Sequence, residues 1–262
     1  MPKVYVDPGH GGSDPGAVKY VTEEHVNLEM GLACRDYLVA NGVTVKMSRT
    51  TDKGTSITTM ANEANNWGAD LVVSIHNNAG GGDGFEVFHS VIGGTSKTLA
   101  SNIEAEVKKI GQNSRGLKTK KNSSGSDYFG MIRLTNAPAV ICEGAFVDNK
   151  KDAAQIDTKA EQRKFGYAYA RGILKTLGIK DNGLDGAKKT ETKPAATTTT
   201  TTKSDGSYIV RVTKGDVQII KDPPIVVRKC PVGSYTIVYE KNGYGKLKSG
   251  EGWINLTQVT KQ

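Results

Sequence analysis

The sequence has few cysteines and no long apolar segment. The first feature argues against a disulfide-stabilised protein, and the second against a membrane-spanning one. Its three cysteines, Cys34, Cys142 and Cys230, are an odd number without a Cys-x-x-Cys spacing. That pattern argues against a disulfide framework and against a zinc site built from thiolates, and it favours reduced, mostly buried thiols. No apolar run approaches the roughly 20 residues that a membrane-spanning helix needs. We therefore expect a protein without stable membrane association.

The N-terminus lacks the basic region, the apolar stretch and the small-residue cleavage site of a secretory signal peptide. The residues from Met1 to Asp7 lead directly into a strand-like segment instead. We therefore expect the protein to be made in the cytoplasm and to stay there until another process releases it.

Positive charge is in excess and is unevenly distributed along the 262 residues, which carry a net charge of +8. Residues 1–180 contain 22 Lys and Arg against 19 Asp and Glu, a difference of +3, whereas residues 208–262 contain 9 against 4, a difference of +5. A small basic module favours an anionic partner, such as nucleic acid, anionic lipid or an anionic wall polymer. Charge alone does not choose among the three.

Composition divides the chain into two domains and a linker, as its length also suggests. Residues 181–207 are polar, contain an unbroken threonine run from Thr197 to Thr202, and have almost no apolar side chains. Such a segment cannot offset its ordering entropy by burial, so we predict a flexible, threonine-rich linker. The predicted domains are residues 1–180 and residues 208–262.

The first domain alternates between two hydrophobic patterns. Short, β-branched, apolar runs are typical of strands that are buried on both faces. Between them, apolar residues repeat at helical spacing, beginning with Val26, Met30, Ala33 and Tyr37. Strands and helices in alternation predict an α/β fold with a mainly parallel sheet. The strand-like runs are Val4–Val6, Val43–Val45, Leu71–Ile75 and Ala139–Cys142.

The second domain has only strand-like segments separated by turn signals. The segments are Tyr208–Val212, Tyr235–Tyr239 and Gly252–Leu256, and Asn242-Gly243 and Ser249-Gly250 favour turns between them. This pattern predicts a small all-β barrel or open sandwich.

Four polar residues of the first domain stand where an α/β sheet places a functional site. His10, His76 and Glu143 each follow a predicted buried strand, and Glu23 lies at the start of the first amphipathic helix. The carboxyl ends of parallel strands carry the functional loops of such sheets. Two imidazoles and a carboxylate are ligands that a catalytic zinc ion accepts, with one position left for water. A further carboxylate, for which Glu143 is suited, can move protons during attack on a carbonyl.

Two alternatives remain open from these residues alone. Either histidine can be a structural or surface residue, and a glycine-containing loop after a first strand can also bind phosphate. The run Gly9-His10-Gly11-Gly12 is not a dinucleotide fingerprint, because the third glycine is missing from its expected place.

Several motifs resemble those of a known family, and they occur in its order over residues 2–178. The segment Asp7–Ala17 (DPGHGGSDPGA) resembles the opening motif of the zinc-dependent N-acetylmuramoyl-L-alanine amidases of the type 3 class. Glu23 precedes Asn27-Leu28 at the distance that the family shows, which favours Glu23 over Glu24. The remaining matches are Ala64–Asp70 followed by Ser74–Asn78, and Pro138–Phe146.

The resemblance implies a function as well as an open α/β sheet flanked by helices. By it, His10, Glu23 and His76 would bind Zn²⁺, and Glu143 would act as general base and acid. The substrate would be peptidoglycan, cut at the amide bond between N-acetylmuramic acid and the L-alanine of the stem peptide. The family includes phage endolysins and sporulation or autolytic amidases, and of these we favour a phage endolysin that lyses its host.

Other polar residues near the predicted strand ends receive weaker assignments. Arg49 and Asn78 are candidates for binding substrate. His25 is expected to face solvent, and His89 matches no ligand of the family.

The second domain resembles bacterial SH3-like domains through Tyr208–Val212 and Asn242–Ile254. The resemblance implies binding to the cell wall, including an anionic wall polymer, and Tyr244 and Trp253 are candidates for the binding groove. Core packing is an alternative role for Trp253.

Three other functions remain as alternatives to the amidase. One is a zinc peptidase that cuts within the stem peptide, and another is a non-catalytic binding protein. The third is a nucleic-acid-binding tail, which would show steep salt dependence; we expect wall polymer rather than nucleic acid as the partner.

Overall fold

The computed structural model describes residues 1–184 continuously, and beyond them residues 208–212, 218–221, 225–229, 233–241, 244–248, 253–256 and 259–261. The chain forms two compact units, Met1–Thr192 and Lys193–Gln262. Among the described residues, no helix is both long enough and apolar enough to cross a membrane. Cys34 and Cys142 are buried free thiols, whereas Cys230 lies outside the described residues.

The first unit contains six strands, which are β1 (Lys3–Pro8), β2 (Thr44–Met47), β3 (Leu71–Asn78), β4 (Phe85–His89), β5 (Ser114–Lys118) and β6 (Ala139–Phe146). They form one sheet in the order β2-β1-β3-β6-β4-β5. Every neighbouring pair is parallel except β4 with β6, which is antiparallel. The strand residues are mostly apolar and buried, so both faces of the sheet need a cover.

Helices cover both faces of this sheet. The helices are α1 (Glu23–Ala40), α2 (Ile57–Trp67), α3 (Gly94–Lys109), α4 (Gly130–Arg133), α5 (Lys150–Ala153) and α6 (Lys159–Thr176). One face packs against α1, α3 and α6, in a core that includes Met30, Ile103 and Ile173. The other face packs against α2 and α4, through Ala64 and Met131. The predicted α/β fold with a mainly parallel sheet flanked by helices is confirmed.

Two glycines allow α6 to lie very close to its neighbours. A Cβ atom on Gly166 would collide with the main chain of α1 at Met30, and one on Gly172 would lie 2.6 Å from Cα of Ile103 in α3. Glycine therefore sets the distance between these three helices, which together support one face of the sheet.

The structure extends the first unit beyond the predicted boundary at residue 180. The hydroxyl of Tyr37 donates to the carboxylate of Asp181, and the side chain of Asn41 bonds to the backbone of Asn182 and Gly183. The start of the predicted linker 181–207 is thus held against the end of α1. Residues 185–207 of that linker lie outside the described residues.

The described strands of the second unit are β7 (Tyr208–Val212), β8 (Gln218–Lys221), β9 (Ile225–Lys229), β10 (Gly233–Lys241), β11 (Tyr244–Leu247), β12 (Trp253–Asn255) and β13 (Thr260–Lys261). They form an antiparallel sheet in the order β13-β7-β10-β11-β12-β8-β9. Ile237, Leu247 and Ile254 are buried together as its small core. No α-helix occurs among the described residues from 208 to 261, as the all-β prediction requires.

Candidate active site

The candidate site lies at the edge of the six-stranded sheet where β1, β3 and β6 end. These strands are parallel neighbours, so their carboxyl ends meet at the same edge. His76 of β3 pairs in register with Glu143 of β6, and His10 follows the last residue of β1 by two positions. β3 continues beyond His76 to Asn78, and β6 continues beyond Glu143 to Phe146. Open α/β sheets bind their ligands at this edge.

The loop after β1 directs His10 toward His76. His10 has a φ of 64°, in the left-handed region that residues other than glycine rarely adopt. Gly9 lies directly under the His76 ring, where a Cβ atom would collide with the imidazole. The two imidazole rings are edge to face, with centroids 4.8 Å apart. The absence of a side chain at residue 9 is therefore a requirement for bringing these two histidines together.

Glu23 is the first residue of α1, and its carboxylate lies between the two imidazoles. Oε1 lies 3.2 Å from Nε2 of His10 and 3.1 Å from Nδ1 of His76. The same oxygen accepts the backbone N–H of Asn77, and Oε2 accepts that of Ala17. Only 4% of Glu23 is exposed, so these contacts fix the carboxylate in one position.

This arrangement fits a divalent cation such as zinc. One ligand atom from each of His10, Glu23 and His76 lies within 4.8 Å of the other two. Two imidazoles and one carboxylate form a donor set that zinc accepts, with a fourth position open to water or substrate. The structure thus brings together the three residues that the sequence predicts as metal ligands, with Glu23 and not Glu24 beside the imidazoles.

The charges of this cluster shift its pKa values strongly. The hydrogen bond to Glu23 raises the pKa of His10 to about 9, although burial opposes the change. Burial alone would lower the pKa of His76, but Glu23 and the charge of Glu143 raise it. Burial would raise the pKa of Glu23, yet the two imidazoles hold it well below its usual value. A metal ion bound at neutral pH would therefore have to displace a proton from His10.

Two further residues, neither of which was predicted from the sequence as functional, support the cluster. The carboxylate of Asp14 lies 2.8 Å from Nδ1 of His10. This contact fixes the orientation of the ring, with Nε2 facing Glu23. Asn27, one helical turn after Glu23, donates to the carbonyl of Gly9 and to Glu23. The sequence contains a weak signal for each role. Asp14 comes four residues after His10, a candidate ligand, and Asn27 comes four residues after Glu23, which places both side chains on the same face of α1.

Glu143 lies beside the candidate metal ligands with a free carboxylate. No group in the described part of the chain donates a hydrogen bond to it. Burial is the main cause that raises the pKa of Glu143 to about 7. The charge of Glu86, its register partner on β4, raises the pKa further, and His76 opposes both. A carboxylate with a pKa near neutrality can both accept and return a proton, as general acid–base catalysis requires.

Arg49, a predicted substrate-binding residue, is buried under the His10 loop. Its guanidinium donates to the backbone carbonyls of Pro8, Gly9, Glu24 and Thr51. Only 5% of the residue is exposed. Arg49 therefore stabilises the loop that carries His10. A contact between Arg49 and the substrate stays a prediction.

Three other polar residues, of which only Asn78 was predicted to bind substrate, lie at different places relative to the site. Asn78 is at the site edge, where its amide donates to Glu86 and its Oδ1 accepts the N–H of Ala79. His25 is exposed and pairs with Glu24. His89 ends β4, which runs antiparallel to β6, so it lies at the opposite edge of the sheet. Substrate binding by Asn78 also stays a prediction.

Tyr244 and Trp253 share one face of the antiparallel sheet in the second unit. Tyr244 pairs with Asn255 and Lys246 pairs with Trp253, and paired residues lie on the same face. Both aromatic side chains are half-buried, whereas Ile254, on the opposite face, belongs to the core. The structure therefore places Trp253 outside the small apolar core.

The chain belongs to the N-acetylmuramoyl-L-alanine amidase family, whose model matches residues 4–175. That range contains His10, Glu23, His76 and Glu143. The chain is therefore a peptidoglycan amidase, a hydrolase that acts on the bacterial cell wall. The resemblance of the sequence motifs to the N-acetylmuramoyl-L-alanine amidases is confirmed.

Individual relatives agree with this membership. The chain is 35% identical over 196 residues to the sporulation-specific N-acetylmuramoyl-L-alanine amidase of Bacillus subtilis (strain 168), covering 73% of this chain and 74% of that protein. It is 33% identical over 203 residues to the endolysin of Bacillus phage SPP1, covering 74% and 72%. The solved catalytic domain of CwlV, an N-acetylmuramoyl-L-alanine amidase from Bacillus (Paenibacillus) polymyxa var. colistinus, superposes with a TM-score of 0.63 at 29% identity, covering 69% of this chain and 100% of that one.

Proposed function

We propose that this protein is a zinc-dependent amidase that cuts the bond between N-acetylmuramic acid and the L-alanine of the stem peptide. The observation that carries the proposal is the free carboxylate of Glu143 beside a cluster of His10, Glu23 and His76 that fits zinc. Zinc bound there would supply Lewis-acid activation of water and of the amide carbonyl.

Glu143 would carry the proton through the reaction. Its carboxylate would accept a proton from the water that attacks the lactyl carbonyl, and would then deliver that proton to the departing nitrogen of L-alanine. Attack by the water oxygen forms a new C–O bond to the lactyl carbon, and the C–N bond to L-alanine then breaks. The products are a free lactyl carboxyl group and a peptide with a free amino terminus. The raised pKa of Glu143 suits both halves of this transfer.

Product analysis tests the bond that is cut. Mass spectrometry of digested peptidoglycan should show stem peptides that begin with free L-alanine, together with glycan that keeps its lactyl groups. New amino termini at later residues of the stem peptide would instead identify a zinc peptidase. Intact walls to which the protein remains bound would identify a binding protein.

For the second unit we propose binding to an anionic wall polymer through an SH3-like domain. Tyr244, Trp253 and Lys246 lie on one face, with Nζ of Lys246 6.0 Å from the centre of the Trp253 ring. Co-sedimentation of the full chain carrying Glu143→Gln with walls, before and after extraction of the anionic polymer, tests this role. Binding should weaken after extraction and in a Trp253→Ala variant, and equal binding to both kinds of wall would contradict it.

For the biological role we propose host lysis as a phage endolysin, with a sporulation or autolytic amidase as the alternative. The relatives include proteins of both kinds. Immunoblots of the source organism after prophage induction and during sporulation separate the two. Accumulation during lytic growth supports the endolysin, and accumulation restricted to sporulating or growing uninfected cells contradicts it.

A further inference from the structure

The pairing of β4 with β5 contains an irregularity close to the site. Phe85 pairs with Ser114, but Glu86 pairs with Gly116, so Arg115 has no partner residue on β4. Gly116 has a φ of 86°, which other residues rarely adopt and which allows the strand to bulge. Bulges redirect side chains next to active sites. Here the bulge directs Arg115 back over β4 toward Glu86.

Two contacts hold the guanidinium group of Arg115 in place. Its Nε donates to Oε2 of Glu86 at 2.8 Å, and its Cζ lies 5.1 Å from the centre of the Phe146 ring. Glu86 is itself 8% exposed, and its other carboxylate oxygen accepts a hydrogen bond from Asn78. A guanidinium held between a fixed carboxylate and an aromatic face is preorganised for binding.

The outer edge of this guanidinium remains available for a ligand. In the described part of the chain, no acceptor bonds to Nη1 or Nη2 of Arg115, and 40% of its side chain is exposed. These two nitrogens present parallel N–H donors, the geometry that matches a carboxylate. Since Nε is already bound to Glu86, the free edge points away from that residue.

The position of Arg115 relative to Glu143 makes this edge relevant to the reaction. Glu86 and Glu143 are partners in register, so their side chains lie on the same face of the sheet. Neighbouring strands are about 4.8 Å apart, so β5 lies about 10 Å from β6. Because Arg115 reaches back to Glu86, its guanidinium lies closer to Glu143 than the backbone of β5 does.

We propose that Arg115 binds a carboxylate on the stem peptide and selects substrates that carry it. This inference rests on the proposed function, in which the departing peptide begins at the nitrogen that Glu143 protonates. Consecutive Cα atoms are about 3.8 Å apart, so a carboxylate on the second residue of that peptide lies within reach of the guanidinium. A primary carboxamide at the same position would lose the ion pair and the bidentate hydrogen bond.

Two synthetic substrates test the proposal. Both are N-acetylmuramoyl-L-alanyl peptides, and the second residue carries a free carboxylate in one and a primary carboxamide in the other. The zinc-loaded protein should have a kcat/KM about 10-fold or more higher for the carboxylate. Arg115→Met should lower kcat/KM for the carboxylate substrate about 10- to 100-fold, mainly by raising KM. The same variant should change kcat/KM for the carboxamide substrate less than about 3-fold. Arg115→Lys should restore part of the preference, because it keeps the charge and loses the bidentate geometry.

A matched control removes a charge elsewhere on the same strand. Lys118→Met, at the other end of β5, should leave both rates unchanged. Equal effects of Arg115→Met on the two substrates, or no effect on either, would overturn the subsite while leaving the amidase intact. If the wild type cuts neither substrate at the lactyl–alanine bond, the proposed function fails and the subsite fails with it.

Discussion

Nδ1 of His76 lies 3.1 Å from Oε1 of Glu23, and the same oxygen lies 3.2 Å from Nε2 of His10. One buried carboxylate oxygen therefore connects two imidazoles that come from different parts of the chain. Hydrogen bonds of this kind need protons on the ring nitrogens, whereas a metal ion in the same place needs those nitrogens unprotonated. Protons and metal compete for the cluster, and this competition can be measured.

Zinc binding to the chelated protein at pH 7 should release about one to two protons. The reason is that the pKa of His10 is about 9 in the metal-free chain and that of His76 is raised. Affinity should consequently fall as the pH is lowered. Isothermal titration in buffers with different ionisation enthalpies gives the number of protons, and an apparent enthalpy that is the same in every buffer would contradict the prediction.

The activity should depend on pH through Glu143. Its carboxylate must be ionised to accept a proton, and its pKa is about 7 without metal. Activity should thus rise with pH and level off once Glu143 is ionised. A cation among the neighbouring ligands favours the ionised form, so the midpoint for the zinc-loaded protein should lie below 7. A kcat/KM profile on a soluble muramoyl peptide checks this, and activity that increases toward acid pH would rule out a base with this pKa.

Asp14→Asn should weaken zinc binding about 10- to 100-fold without removing a ligand. The carboxylate of Asp14 lies 2.8 Å from Nδ1 of His10, where it fixes the ring orientation and makes Nε2 a more basic ligand. The amide of asparagine keeps the shape of the side chain without its charge. Competition with a fluorescent chelator measures the affinity. Asp83→Asn, at an exposed position, is the control and should bind zinc as the wild type does. Equal affinities for both variants would show that Asp14 does not support the site.

Gly172→Ala should destabilise the first unit by at least about 1 kcal/mol, because overpacking of a helix interface costs more than the gain in helix propensity. The new methyl group would lie 2.6 Å from Cα of Ile103, where the backbone of α3 has to move. Denaturant unfolding at a fixed zinc concentration measures the change. Lys164→Ala, on the exposed side of the same helix, should shift the stability by no more than about 0.5 kcal/mol. A Gly172→Ala variant as stable as this control would mean that the two helices can separate without cost.

The hydrophobic patterns predicted the α/β fold and the convergence of the site, because both follow from local periodicity. His10, His76 and Glu143 each come at or near the carboxyl end of a parallel strand, and such ends lie at the same edge of the sheet. The residues are close together because β1, β3 and β6 are also neighbours in the sheet. The direction of β4 was not predictable in this way. Whether a strand runs parallel or antiparallel depends on its tertiary partners, and the apolar run alone is the same in both cases.

The side chains that support the site were harder to predict than the candidate ligands. Arg49 follows a strand in a polar loop, and nothing in its neighbours indicates that four backbone carbonyls surround its guanidinium. Arg115 owes its position to a bulge, which depends on the register of β5 against β4. Such register shifts arise from pairing between distant segments, so a single sequence carries little signal for them.

The most direct test of the account measures metal content and turnover on the same samples of wild type and Glu143→Gln. We predict that both proteins hold one zinc ion per chain, because Glu143 is not among the three clustered ligands. The wild type should release peptides that begin with L-alanine, and the variant should do so about 10²- to 10⁴-fold more slowly. Chelated wild type should be inactive until zinc is restored. Undiminished turnover by Glu143→Gln, or by the chelated wild type, would contradict the proposed mechanism.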